Sequence, residues 1–247
     1  MTNLSHYPID LIVSNAATGS NPILLTKWLA QDLDLKSGMR VLDLGSGSGL
    51  SSIFLNKEYG VEVWAADFSR DPSKTFKLAE ECDVKSGLFP LRINARSLPF
   101  AHNYFDAIIC IDSINYFGTD DLYSSYLACF LKPSGLIGMA GAGLTQEITD
   151  IPPHLRDWWI PEIWSHHTAN WWADHWRKSS ALDIISTETM VDGWRKWLEW
   201  QMLAYPENQA EILALRADQG KHLGYIKVVG RRTSFTPRAG ILKFSAY

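Results

Sequence analysis

The stretch Arg40-Val41-Leu42-Asp43-Leu44-Gly45-Ser46-Gly47-Ser48-Gly49 decides the fold class of this chain. Its apolar first half is typical of a buried strand, and its glycine-rich second half predicts a tight turn because glycine tolerates positive φ. The residues from Leu50 to Tyr59 then repeat apolar side chains at helical spacing, and Gly60 stands where a glycine commonly ends a helix. A strand, a tight turn and a helix in this order can bind an adenosine-bearing cofactor.

The spacing of the glycines distinguishes between cofactor classes. It is G-x-G-x-G here, whereas the dinucleotide fingerprint requires G-x-G-x-x-G, and Leu50 occupies the third glycine position of that fingerprint. This difference weakens an interpretation as a pyrophosphate-binding loop without excluding it. The next β-type run, from Val61 to Asp67, ends in a carboxylate. A second strand ending there would deliver an acceptor to ribose hydroxyls.

The region from Gly38 to Gly141 resembles the class I S-adenosylmethionine-dependent methyltransferases through its D-L-G-x-G-x-G loop and the acid after the second strand. The resemblance implies a Rossmann-like fold with S-adenosylmethionine as methyl donor and S-adenosylhomocysteine as product. It implies that the loop wraps the methionine and ribose, that the acid holds the ribose, and that a polar residue after the third strand meets the adenine. The implied cofactor-binding residues are Asp43, Gly45, Ser46, Gly47, Gly49, Asp67, Asn94 and Ala95. Ile111 and Asp112 are expected to border the cofactor because they end a central parallel strand, and Phe68 is expected beside Asp67.

Asn94 departs from the pattern of the family, because many members carry Asp at this position. An amide can still accept a hydrogen bond from the adenine amino group through its oxygen. We therefore keep Asn94 as the residue expected to contact the adenine.

Alternating strand-like and helical segments predict a doubly wound, mostly parallel seven-stranded sheet with helices on both faces. The apolar run 104–112 is typical of a central parallel strand, and residues 132–135 predict a turn before a fifth strand at 136–140. Later strands are expected at 182–190 and 225–229, with a helical region at 193–220 that breaks at Pro206. The resemblance implies that the last strand is antiparallel. The tryptophan-rich segment between strands 5 and 6 is expected to form a helical insertion.

The chain is expected to form a single methyltransferase domain. Its parts are a helical N-terminal segment (1–37), a cofactor-binding core (38–144), an insertion acting as a lid (145–180), C-terminal strands and helix (181–233) and a short extension (234–247). The formal net charge of −4 and the absence of a basic stripe argue against nucleic acid as a partner. The sequence shows no signal peptide, no membrane-length apolar segment and no paired cysteine motif, which predicts a cytoplasmic protein without a membrane partner.

Nine of the eleven tryptophans fall between residues 158 and 200. One interpretation is that they form helix faces that pack on the sheet, and the candidates are Trp171, Trp172, Trp176, Trp194, Trp197 and Trp200. The other is a lid whose flat aromatic walls enclose the acceptor. Trp158, Trp159 and Trp164 are the predicted acceptor-binding residues, because nearby prolines make their segment loop-like. Such walls favour an apolar or aromatic acceptor, and they would also attract a cationic group.

Four side chains compete for the role of general base: Asp112, Tyr116, His166 and His167. An imidazole titrates near neutral pH and suits that role, although the sequence favours an exposed or cap-bonded histidine for each of the pair. Asp112 would alternatively contact the ammonium group of the cofactor. We expect no metal, because the histidines show neither H-x-x-x-H spacing nor a neighbouring cysteine pair.

The sequence therefore predicts a methyltransferase that moves the sulfonium methyl of S-adenosylmethionine to a small-molecule acceptor by in-line displacement. Alignment of the acceptor and exclusion of water would carry most of the catalysis. Two alternatives remain open, an NAD-dependent oxidoreductase and a non-catalytic S-adenosylmethionine-binding protein.

Overall fold

One seven-stranded sheet organises the chain in the computed structural model, which describes residues 7–16, 19–84 and 86–235. The strands are β1 (Arg40–Leu44), β2 (Glu62–Asp67), β3 (Leu88–Arg92), β4 (Phe105–Ile111), β5 (Leu131–Leu144), β6 (Leu182–Thr189) and β7 (Leu223–Arg232). Most of the predicted extension at 234–247 and the first six residues of the N-terminal segment lie outside the described residues.

The strand order β3-β2-β1-β4-β5-β7-β6 confirms the predicted architecture. Strands β1 to β5 pair in parallel, and β7 lies antiparallel between β5 and β6. The order in which successive strands are added reverses at β1, because β2 and β3 lie on one side of it and β4 and β5 lie on the other. In such sheets the crevice at the carboxyl ends of the strands next to this switch point is the usual ligand site.

Helices lie on both faces of the sheet, and the predicted helices at 50–59 and 193–220 form where the sequence places them. The helices are α1 (Ile9–Asn15), α2 (Pro22–Ala30), α3 (Leu50–Tyr59), α4 (Pro72–Glu81), α5 (Tyr123–Phe130), α6 (Ala169–Arg177), α7 (Gly193–Ala204) and α8 (Gln209–Asp218). Helix α3 ends at Gly60, which adopts φ 64° and donates its N–H to the carbonyl of Asn56. The predicted break at Pro206 separates α7 from α8.

Both faces of the sheet are buried, as a doubly wound fold requires. Alternate residues of β4 enter opposite cores. Ile108 and Cys110 pack with α5 and α6 on one face, whereas Ile109 and Ile111 pack with α2, α7 and α8 on the other. The continuous apolar run of β4 follows from this burial on two sides.

The structure corrects the turn predicted at 132–135, because these residues belong to the first part of β5. The pairing with β4 shifts register here, since Phe105 lies opposite Leu131 while Ala107 lies opposite Leu136. Ser134 adopts φ 62° within this irregular stretch. The turn-forming residues thus produce a bulge in a longer strand, which is a common alternative to a chain reversal.

The insertion between β5 and β6 contains α6 and two short 3₁₀ helices, Pro153–Leu155 and Pro161–Ser165. Trp172 and Trp176 of α6 are each 1% exposed and belong to the core beneath it. On α7, Trp197 and Trp200 are each 3% exposed. These four tryptophans therefore fit the packing interpretation. Among the described helices, none has both the length and the apolar character needed to cross a membrane.

Replacing Trp176 by Ala is expected to lower the free energy of unfolding by about 3–5 kcal/mol, because it leaves a large cavity in a closed core. Urea denaturation measures this change. Trp164→Ala is the matched control, since Trp164 is 45% exposed and its removal opens no buried cavity. Equal losses of stability in the two variants would contradict the assignment of Trp176 to the core.

Candidate cofactor and acceptor site

The glycine-rich loop after β1 folds back against β2. The N–H groups of Gly45 and Ser46 both donate to the carbonyl of Ala66, at 2.8 and 3.1 Å. Gly45 adopts φ 80°, and a Cβ added there would lie 2.4 Å from the Cβ of Ser113. A residue larger than glycine would therefore collide with the segment after β4, so this close approach requires the glycine.

A cleft opens beside this loop at the carboxyl ends of β1 and β4. It is lined by Ser20, Pro22, Gly45, Ser46, Gly47, Ser48, Leu50, Ser51, Ile111 and Asp112. Gly47 and Gly49 adopt φ 57° and φ 90°, so backbone rather than side chains forms this side of the cleft. Five of the predicted cofactor-binding residues therefore line one cleft at the carboxyl ends of the strands, which is the usual ligand site in this fold class. They are Gly45, Ser46, Gly47, Ile111 and Asp112.

Asp43 lies beneath the loop and is fully buried. Its Oδ2 accepts hydrogen bonds from the hydroxyls of Ser51 and Ser52 at 2.5 and 2.6 Å, while its Oδ1 has no partner. Burial raises the pKa of Asp43 to about 6, against the opposing effect of the two serine hydroxyls. The carboxylate thus fixes the first turn of α3, and one buried oxygen keeps its capacity to accept a hydrogen bond.

Asp67 ends β2 directly above the loop. Its Oδ2 accepts from the N–H of Gly47 at 3.0 Å, and its Oδ1 accepts from the N–H groups of Ser69 and Arg70 at 2.8 and 3.0 Å. Phe68, which follows it, exposes 67% of its surface. The carboxylate orients the loop and, since each oxygen has two lone pairs, Oδ2 can accept one further hydrogen bond.

Asn94 and Ala95 follow the carboxyl end of β3 and are half-buried. The Oδ1 of Asn94 accepts from the N–H of Arg96 at 2.9 Å, and the carbonyl of Ala95 accepts from the hydroxyl of Tyr123 at 2.9 Å. These contacts hold the turn after β3 at the same edge of the sheet as Asp67. The contact of Asn94 with an adenine remains a prediction.

Asp112 follows β4 and adopts φ 51°, a left-handed conformation. Its Oδ1 accepts from the N–H of Ala142 on β5 at 2.8 Å, and its Oδ2 accepts from the N–H of Ser20 at 2.9 Å. The carbonyl of Gly19 in turn accepts from the side chains of Trp200 and Gln201, each at 3.1 Å. Asp112 therefore holds the segment before α2 over the cleft.

The other three candidates for a general base differ in their surroundings. The Nδ1 of His167 lies 3.0 Å from the Oε2 of Glu147, and its ring stacks on Trp171 at 3.6 Å. Burial lowers the pKa of His166, and its Nδ1 has no hydrogen-bond partner. Tyr116 is 66% exposed. The interactions described for these side chains do not join them into one hydrogen-bonded group, and His167 already has a structural partner.

The three predicted acceptor-binding tryptophans form a chain of edge-to-face contacts. Ring centroids of Trp158 and Trp159 are 6.4 Å apart, and those of Trp159 and Trp164 are 5.1 Å apart. Trp158 also contacts Trp197 of α7 at 6.2 Å. The indole Nε1 of Trp159 is buried without a partner. The insertion thus presents a continuous aromatic surface that α7 supports.

Sequence reasoning missed Glu211, which lies against this aromatic surface. Its Oε1 accepts from the indole N–H of Trp197 at 2.7 Å, and its Oε2 accepts from the amide of Asn208 at 2.8 Å. Burial raises the pKa of Glu211, and the negative charge of Asp112 raises it further. Asn208 and Glu211 have the spacing of a capping box, which the sequence alone indicates. The sequence does not indicate that Trp197 is the hydrogen-bond partner of Glu211.

Tyr225 of β7 lies between the backbone beside Asp112 and Trp197, the hydrogen-bond partner of Glu211. It lies opposite Ala142 in the pairing of β5 with β7, next to the backbone N–H that Asp112 holds. Its ring stacks on Trp197 with centroids 5.7 Å apart and an interplanar angle of 17°. Asp112 and Glu211 therefore flank one aromatic stack, and both charges raise the pKa of Tyr225 after the larger effect of burial.

Comparison with known proteins matches residues 41–135 to the family model described as a methyltransferase domain. Residues 3–66 also match the model for protein-L-isoaspartate(D-aspartate) O-methyltransferase. A phosphoethanolamine N-methyltransferase from Plasmodium falciparum is 25% identical over 223 residues, which cover 85% of this chain and 78% of that protein.

Two solved structures have folds similar to that of this chain. A methyltransferase from Thiobacillus denitrificans in complex with S-adenosylhomocysteine has a TM-score of 0.66 at 20% identity and covers 92% of this chain and 99% of its own. The cyclase SpnF has a TM-score of 0.67 at 18% identity and covers 88% of this chain and 84% of its own. Since a cyclase shares this fold, the fold alone does not decide the reaction.

Replacing Asp43 by Asn tests the raised pKa of the buried carboxyl group. The folded protein holds a proton at Asp43 more tightly than the unfolded chain, so this group stabilises the fold at low pH and loses that contribution as pH rises through about 6. Relative to Asp43→Asn, the parent should therefore lose about 3 kcal/mol of unfolding free energy between pH 4 and pH 7. Urea denaturation across that range measures the difference, and a difference that does not change with pH would contradict the raised pKa.

Proposed function

Because the chain carries a class I S-adenosylmethionine-dependent methyltransferase domain, we propose that it transfers the methyl group of S-adenosylmethionine to a small-molecule amine. The observation that carries the choice of acceptor is the pairing of an aromatic surface with the two carboxylates of Asp112 and Glu211. When bound, the cofactor supplies an electrophilic methyl group on a sulfonium leaving group. The protein then has to hold the acceptor in line and exclude water.

The cleft beside the glycine-rich loop fits this cofactor. The backbone of Gly45 and Gly47 leaves its side of the cleft open, and Asp67 retains an acceptor lone pair above the loop. We assign Asp67 to the ribose hydroxyls, Phe68 and Ile111 to flanking apolar contacts, and Asn94 with Ala95 to the adenine. Asp43 and Asp112 then act as positioning residues, because their carboxylates already hold α3 and the segment before α2.

The acceptor side carries unbalanced negative charge. Within the described ranges, the hydrogen bonds of Asp112 and Glu211 come from backbone, indole and amide N–H groups, and no lysine or arginine forms an ion pair with either carboxylate. A partly buried carboxylate without a counter-ion favours a cation beside it. An amine enters as an ammonium ion at neutral pH, and the faces of Trp158, Trp159 and Trp164 attract it further.

The amine has to lose one proton before its nitrogen can attack the methyl group. His166 is our candidate for this task, because burial lowers its pKa and so favours the neutral imidazole, and its buried Nδ1 has no hydrogen-bond partner. The negative charge of Asp112 stabilises the imidazolium that forms. The relative from Plasmodium falciparum is a phosphoethanolamine N-methyltransferase, and this agrees with an amine as the methyl acceptor.

The two other functions predict different binding behaviour. An NAD-dependent oxidoreductase would gain thermal stability from NAD and none from S-adenosylhomocysteine. Leu50 at the third glycine position of the dinucleotide fingerprint argues against that outcome. A non-catalytic binding protein would gain stability from S-adenosylhomocysteine but would methylate no member of a broad acceptor panel.

Replacing Asp67 by Ala is expected to weaken binding of S-adenosylhomocysteine about ten- to a hundredfold, because two ribose hydroxyls and the N–H of Gly47 lose an acceptor. Isothermal calorimetry measures the dissociation constant. Ser69→Ala is the control, since it removes only a local donor to Asp67 and should leave the affinity unchanged. Equal affinity of Asp67→Ala and the parent would refute the assignment of Asp67 to the ribose.

Replacing Glu211 by Gln is expected to raise the KM for an amine acceptor about tenfold while the affinity for S-adenosylhomocysteine stays unchanged, because a negative charge beside the ammonium is lost. Methyl transfer to ethanolamine and phosphoethanolamine, compared with ethylene glycol, provides the assay. Glu207→Gln, at an exposed position before the same helix, is the matched control.

Each outcome of this assay separates the amine proposal from its competitors. Methylation of ethylene glycol in preference to both amines would overturn the choice of an amine but leave methyl transfer intact. Loss of cofactor affinity in Glu211→Gln, with a lowered melting temperature, would show that Glu211 acts only through the packing of Trp197.

A further inference from the structure

Two histidines and an aspartate that are not among the residues lining the cofactor cleft lie close together in the fold. His154 lies in the 3₁₀ helix Pro153–Leu155, Asp218 is the last residue of α8, and His222 immediately precedes β7. The Nε2 of His154 and the Nδ1 of His222 approach the same oxygen, Oδ1 of Asp218, at 2.9 and 2.8 Å. Three ligand atoms from three segments therefore lie within 4.8 Å of one another.

The surroundings fix the orientation of this cluster. The other oxygen of Asp218 accepts the N–H groups of His222 and Leu223 at 2.9 and 2.8 Å, which turns Oδ1 toward the histidines. The side chain of Asp218 is fully buried and that of His222 is 10% exposed, whereas that of His154 is 28% exposed. The cluster is thus rigid on its inner side and open to water on its outer side. Outer hydrogen bonds of this kind commonly orient metal ligands.

We propose that His154, Asp218 and His222 bind one divalent transition-metal ion of the zinc type, with water at the open coordination position. Two imidazoles and one carboxylate form the ligand set of three-residue zinc sites with an open position. Typical metal–ligand distances of about 2.0–2.2 Å require each nitrogen to move a few tenths of an ångström away from Oδ1 and place the two nitrogens about 3.4 Å apart, which the more exposed His154 can reach by turning its ring. This inference opposes the expectation of no metal from the sequence, because the ligands meet only in the fold.

A metal ion at this position would fix the start of the aromatic surface. Leu155, next to His154, is fully buried, and its carbonyl accepts the N–H groups of Trp158 and Trp159 at 3.2 and 2.9 Å. Coordination of His154 would therefore tie the segment that carries both tryptophans to α8 and β7. The proposed ion stabilises the insertion, and it takes no part in methyl transfer.

Thermal unfolding of untagged full-length protein, first treated with a chelator and then titrated with zinc chloride, tests the proposal. At a hundredfold excess over the dissociation constant, zinc should raise the melting temperature by about 5–10 °C. Calorimetry should give one ion per chain. Magnesium should give no shift, because it prefers an all-oxygen site.

His154→Ala is the principal variant, because His154 is the most exposed ligand and its removal should leave the protein folded. The zinc-dependent shift should disappear in His154→Ala and in His222→Ala. It should persist in His102→Ala, which removes an exposed histidine outside the cluster. A shift that survives in His154→Ala would place the zinc elsewhere and overturn the proposal. The proposal would also be overturned if the parent protein in chelator were more stable than His154→Ala but gained no stability from zinc. That result would indicate a hydrogen-bonded network that holds no metal.

Discussion

The carboxylate of Asp112 joins the three parts of the chain that meet at the cofactor cleft. Its two oxygens hold the N–H of Ala142 on β5 and the N–H of Ser20 before α2, while its own backbone turns away from β4 at φ 51°. A hydrogen bond to a charged group contributes about 1.5–3 kcal/mol, and a left-handed residue costs about 1–2 kcal/mol. Two such bonds therefore outweigh the strain of the turn. Since each oxygen holds a different segment, Asp112 positions two walls of the cleft.

A single helix, α8, holds the insertion from both of its ends. Near its start, Glu211 accepts a hydrogen bond from Trp197 of α7, whose ring contacts Trp158 of the insertion with centroids 6.2 Å apart. At its last residue, Asp218 contacts His154, which precedes the same tryptophan segment. The aromatic surface is therefore anchored at two points of one rigid element rather than by its own short 3₁₀ helices. This arrangement explains how a segment with little regular structure can present tryptophans in fixed positions.

Local signals in the sequence were sufficient for the parts of the fold that neighbouring residues determine. The glycine-rich loop, the helix from Leu50 to Tyr59 and its end at Gly60 all follow from periodicity and from glycine conformation, and each formed as predicted. The same local reasoning failed at Lys132 to Gly135, where turn-forming residues sit inside β5 because pairing with β4 continues around a bulge. Tertiary pairing there overrides the local preference.

The acceptor side was harder to predict because its chemistry depends on contacts between distant segments. The tryptophans were visible as a cluster in the sequence, but nothing local distinguishes buried Trp172 from exposed Trp164. Glu211 looks like an ordinary capping residue until Trp197 is found beside it. Burial then gives this carboxylate a role that its sequence context does not indicate, since a charge removed from water has to be compensated by hydrogen bonds or by a ligand of opposite charge. The hydrogen bonds from Trp197 and Asn208 compensate Glu211 in part, and the remaining negative charge is the physical reason to expect a cation on the aromatic surface.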